Sequence, residues 1–134
     1  MNKPANSPLA GLLGTLICCC LLLACDRAET ATKPSVELFQ HWVHSFEESS
    51  GQQAVYRPVT YSFAPARGRE GFEIKENGTF ISHSIAPGDG NMTIEKKWVL
   101  QDDELVVSGK ADRQRYKLVS VTKDKLVLQR IMEH

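Results

Sequence analysis

Beyond residue 25 the chain contains no cysteine: Cys18, Cys19, Cys20 and Cys25 all stand near the N-terminus. A disulfide framework would spread its cysteines through the folded part, so none is present here. The rest of the chain also has no thiol nucleophile and no thiolate metal ligand. An excess of charge is missing too, with 16 Lys+Arg against 16 Asp+Glu. No face can then gather strong positive potential without an acidic counterpart elsewhere, which argues against a nucleic-acid partner. Aromatic residues are scarce at 7%, yet apolar types reach 42% and charged types 24%. That is the balance of one small globular domain and is too apolar for a disordered chain. A chain of 134 residues leaves no room for a second full-size domain. The apolar run over residues 9–24 falls short of the roughly 20 residues that a spanning helix needs.

That run has another reading. Lys3 precedes it, and its Leu, Ile and Cys content is that of the apolar core of a signal peptide. Its end, Leu22-Leu23-Ala24-Cys25, resembles the lipobox of bacterial lipoproteins. The resemblance implies cleavage before Cys25 and a diacylglycerol on its sulfur. Each buried acyl methylene contributes roughly 0.8 kcal/mol, so two or three chains hold a protein on a bilayer without a spanning helix. Asp26 resembles a signal for retention in the inner membrane, but Arg27 is not the partner that strengthens it, and the choice of membrane stays open. Residues 26–35 carry no large apolar side chain and read as a solvated tether. The expected organisation is a signal peptide over 1–24, a lipidated Cys25 with its tether to residue 35, and a folded domain over 36–134. The expected location is the periplasm-facing surface of a bacterial envelope membrane.

Within the domain, Leu38, Phe39, Trp42, Val43 and Phe46 fall in one arc at helical spacing. Glu37, His41, His44 and Glu48 fall opposite, and Gly51 follows as a C-cap, which predicts an amphipathic helix over about 35–48. From Gln52 onward the pattern becomes β-rich runs broken by turn residues. The runs cover residues 53–63, 70–76, 79–86, 94–100, 105–107, 116–121 and 126–132. Asn77-Gly78 between two of them is a strong hairpin signal. The expected fold is mainly β: one amphipathic helix, then about seven strands in a small up-and-down antiparallel barrel, since closure removes exposed edges.

In order and spacing, residues 36–132 resemble a small bacterial lipocalin-like (calycin-type) domain. The residues that carry this are Trp42, the stretch Arg67-Gly68-Arg69-Glu70-Gly71-Phe72-Glu73-Ile74 leading to Asn77-Gly78-Thr79-Phe80, Lys97-Trp98, and the closing strands over 118–128. Gln40-His41-Trp42 stands where lipocalins carry Gly-x-Trp. The resemblance implies a ligand-holding barrel in which Arg130 stacks across Trp42.

Candidate sites are few. Arg57, Arg67 and Arg69 cluster near one end of the expected sheet, where guanidinium groups could hold a carboxylate or phosphate. Tyr56, Tyr61 and Trp98 are the candidate walls beside them. The structural alternative pairs these arginines with Glu70, Glu73 or Glu95. His41 and His44 belong to a solvated helix face, and His83, between Ile81 and Ile85, is expected to point inward as a core histidine. Ser82 and Ser84 flank His83 but face the other way, so they form no nucleophile–base pair with it. No catalytic, metal or cofactor site is expected. The preferred function is a non-catalytic binding module for a small anionic or amphipathic ligand. The alternatives are an inhibitor of a lysozyme-type hydrolase, acting through residues 83–90, and a purely structural envelope protein.

Overall fold

A computed structural model of the protein describes residues 33–88 and 90–133. The expected signal peptide, the lipidated Cys25 and most of the tether lie outside the described residues. Among the described residues, no helix is long and apolar enough to cross a membrane.

A short 3₁₀ turn, Val36–Leu38, precedes eight strands. These are β1 (His41–His44), β2 (Gln53–Pro58), β3 (Gly71–Ile74), β4 (Thr79–Ile85), β5 (Asn91–Gln101), β6 (Glu104–Ser108), β7 (Arg113–Val121) and β8 (Leu126–Ile131). Every neighbouring pair is antiparallel, and the strands close into a barrel in the order β1-β2-β8-β7-β6-β5-β4-β3. A closed antiparallel barrel is consistent with a lipocalin-like fold.

The hairpins from β3 to β8 follow from local chemistry. Gly78 adopts φ +86°, and the Asn77 side chain accepts the Thr79 N–H at 3.0 Å, closing the β3–β4 turn. The β5–β6 turn places Asp102 at φ +55°, a left-handed value that Asp tolerates better than most residues. After β4, the Ala86 N–H donates to the Gly90 carbonyl at 2.6 Å. Residues 83–85 are therefore the end of β4, and Ala86 is drawn back against Gly90.

The expected helix over 35–48 is not formed, and this corrects the strand count as well. Its centre is β1, the eighth strand. Leu38 and Trp42 are both fully buried, so helical spacing and strand alternation agree on the inward residues and differ on everything between them. Tertiary demand decides. β1 pairs with β2 through Trp42↔Pro58 and His44↔Tyr56, and with β3 through His41↔Glu73 and Val43↔Gly71. A helix there would leave two open sheet edges. Phe46, expected to bury against the sheet, is 48% exposed.

The up-and-down order also needs correction. β3 to β8 form a meander, but β1 lies between β2 and β3. Because β2 and β3 are both antiparallel to β1, they run the same way, and residues 59–70 must return along the barrel to start β3.

The two ends of the barrel differ. At the closed end, Leu38 of the 3₁₀ turn packs with Trp42, Ile74, Trp98, Leu105, Val107 and Leu126 in one cluster. The Trp42 indole N–H donates to the Leu38 carbonyl at 3.0 Å, and that of Trp98 to the Lys75 carbonyl at 2.8 Å. Arg130 pairs with Tyr116 toward the other end of β8, away from Trp42, so the expected stacking does not occur.

Candidate functional site

At the open end the interior becomes polar. On β4, Phe80 is buried in the core, so Ser82 and Ser84 share its inward face while Ile81, His83 and Ile85 face outward. Opposite them, Tyr116 of β7 packs against the core, and Gln114 shares its face. These side chains surround a cavity of about 290 Å³. Phe72, Phe80, Leu105 and Leu128 form its apolar floor, and Tyr56, Ser82, Ser84, Gln114 and Tyr116 its walls. His44, Glu70, Ile94 and Lys96 also line it.

The chemistry of the walls is that of neutral hydrogen-bonding groups. Burial pushes the Tyr56 phenol up to about 12 and raises that of Tyr116 as well, so both keep their protons at neutral pH. The Tyr116 hydroxyl donates to Gln114 Oε1 at 2.8 Å. The Gln114 amide N–H groups have no acceptor among the described residues. Burial also lowers the pKa of His44, with Glu70 opposing it, and the His44 ring lies 3.1 Å from the Ser49 hydroxyl. Lys96 supplies positive charge and is held by Asp112 Oδ2 at 2.7 Å.

Of the candidate ligand-binding residues Arg57, Arg67, Arg69, Tyr56, Tyr61 and Trp98, Tyr56 lines this cavity and the others do not; Ser82, Ser84, His44, Glu70 and His83, the last at the rim of β4, also border it. Trp98 belongs to the closed-end core. Tyr61 lies on the returning segment, with the Arg57 guanidinium 4.9 Å above its ring. Arg57 donates to both Glu48 oxygens, at 2.8 and 2.5 Å, and to the Asp124 carbonyl at 3.1 Å. Arg69 sits between the rings of Phe46 and Phe63, at 4.3 and 4.7 Å. It donates to both oxygens of Glu47 and to the carbonyls of His44 and Ala64. The carboxylate partners are thus Glu47 and Glu48, in the β1–β2 connection, and not Glu70, Glu73 or Glu95. Hydrogen bonds from Arg69 and Arg57 hold the Glu47 and Glu48 carboxyls down at about 2. Arg67 is exposed on the returning segment.

The outer face carries a second constellation. His41, Glu73 and His83 stand on the adjacent strands β1, β3 and β4, with one potential ligand atom from each within 4.8 Å of the others. This corrects the inward placement of His83. Its Nε2 lies 3.1 Å from Glu73 Oε1, and His41 Nδ1 lies 3.9 Å from the same oxygen. The two imidazoles stack with centroids 4.7 Å apart. Burial, then the neighbouring His83, lowers the His41 pKa, and Glu73 partly offsets them.

Comparison with protein-family models, with curated proteins and with solved structures finds no match to the chain.

Proposed function

We propose that the protein is a lipocalin-like binding module, tethered to a bacterial envelope membrane through acylated Cys25, that takes one small amphipathic ligand into the open end of its barrel. The observation that carries this reading is the change of interior polarity along the barrel. Ser82, Ser84 and Gln114 occupy the inward positions that apolar residues fill at the closed end. Inward hydroxyls and amides add nothing to a dry core and are costly without partners, so their presence suits a solvated or ligand-filled space. The volume of about 290 Å³ lies near the lower limit of roughly 300 Å³ for small-molecule sites, which favours a ligand of a few heavy atoms. Its apolar part would rest on Phe72 and Phe80, and an anionic or hydrogen-bonding group would meet Lys96, Gln114 and the tyrosine hydroxyls.

Binding without chemistry is the better reading of these groups. The imidazole beside both serines in sequence, His83, is on the opposite face of β4, and His44 is engaged by Ser49. Among the described residues, neither serine has a histidine base placed to activate it.

The test is a thermal-unfolding titration with short-chain carboxylates such as hexanoate, on the wild type and on Ser82→Leu/Gln114→Leu, which fills the cavity. A saturable rise in the wild-type midpoint that is absent from the filled variant is expected. No rise in the wild type, or an equal rise in both, contradicts the proposal.

A further inference from the structure

We infer that His41, Glu73 and His83 form a divalent-cation site on the outside of the barrel, suited to a late first-row metal such as zinc. Two imidazoles and one carboxylate are ligands that zinc accepts, at bonds of about 2.0–2.1 Å. Tetrahedral geometry at that bond length sets neighbouring ligand atoms about 3.3 Å apart. The distances of 3.1 Å from His83 Nε2 and 3.9 Å from His41 Nδ1 to Glu73 Oε1 lie on either side of that value. Small side-chain rotations would complete the set, with no backbone movement.

The backbone fixes the arrangement. His41 and Glu73 are direct register partners across β1 and β3, and His83 pairs with Gly71, two residues before Glu73. Gly71 contributes through what it lacks. A Cβ there would fall against the Trp42 carbonyl oxygen, so glycine allows the close approach of β3 to β1. All three ligands are only partly exposed, at 32% for each side chain. An outer position for an imidazole is also available. Thr93 Oγ1, on β5, lies 3.5 Å from His83 Nδ1, where it can accept the proton of a ring that binds metal through Nε2. Three protein ligands leave the fourth position to water or to an anion from solution.

The test uses the full-length chain in detergent, untagged, with Cys18, Cys19, Cys20 and Cys25 all changed to Ser so that no thiol competes. Calorimetric titration with zinc chloride should show one site. His83→Gln and His41→Gln should each weaken it by at least about tenfold, as loss of a ligand should cost no less than loss of an outer partner. His44→Gln, altering a cavity histidine outside the trio, should leave the affinity unchanged. A measurement that needs none of these histidine variants protects against a folding defect: in ¹⁵N-histidine spectra of the protein with all its histidines, the His41 and His83 signals should shift together at one equivalent of zinc, with His44 unmoved. Absence of binding, or binding that persists in both His41→Gln and His83→Gln, or zinc shifts confined to other histidines, would overturn the inference.

Discussion

The closed and open ends of this barrel are built from the same strands but to opposite rules. At the closed end, β3 and β4 send Ile74 and Phe80 inward against Trp42, Trp98 and Leu126, and the buried indole N–H groups find carbonyls. A few residues further along β4 the inward positions are Ser82 and Ser84, and on β7 Gln114. The difference teaches that stability is concentrated where the barrel is filled, and that the other end is relieved of that task. The β1–β2 connection and the returning segment reinforce the open end from outside: Arg69, gripping Glu47 and two carbonyls, fastens one to the other.

That contrast can be broken most sharply at Trp42. Trp42→Ala removes a fully buried indole from the closed end and should cost about 3–5 kcal/mol, read as a large fall in the denaturant midpoint. Gly71→Ala comes next. The added methyl meets the Trp42 carbonyl and should cost about 1–3 kcal/mol, measured in the same way, by forcing β3 from β1. Acid probes the outer clamps. Glu47 and Glu48 ionise near 2 in place of their ordinary 4.5, so the stability they contribute is complete above pH 4.5 and is lost as the pH falls toward 2. Denaturant midpoints across that window should fall in the wild type and fall less in Arg57→Gln/Arg69→Gln. The smallest effect belongs to the open end. Ser82→Leu should change stability by no more than about 0.5 kcal/mol in either direction, as at a surface position, because its side chain borders a cavity and not a packed core.

The same contrast explains what the sequence made legible. The β3–β8 meander could be read because its turns carry their own chemistry, with Asn77-Gly78 the clearest case. β1 could not, since four residues are too few to separate a period of two from one of 3.6. Its strand character comes from the edges of β2 and β3, which are remote in sequence. The alternation of β4 is visible in the sequence, but its apolar residues point to the wrong face. Ile81 and Ile85 are its apolar residues and would point inward in a filled barrel. Here they face out because the interior at that level is polar. A sequence rule that puts apolar side chains inside inverts wherever the inside holds water or ligand, so the cavity residues were the ones least accessible to it. The arginines stand out in the sequence, but their partners Glu47 and Glu48 lie in a connection whose spacing fits a helix.

The most direct test of the division between the two ends is a map of where a ligand acts. Amide spectra of the full-length protein, titrated with hexanoate to saturation, should show shifts confined to residues lining the open end, such as Ser82, Ser84, Gln114 and Tyr116, with Leu38, Ile74 and Trp98 unmoved. Saturable shifts that centre on Arg57 and Tyr61 outside the barrel, or no saturable shifts at all, would contradict an open end built to receive a ligand.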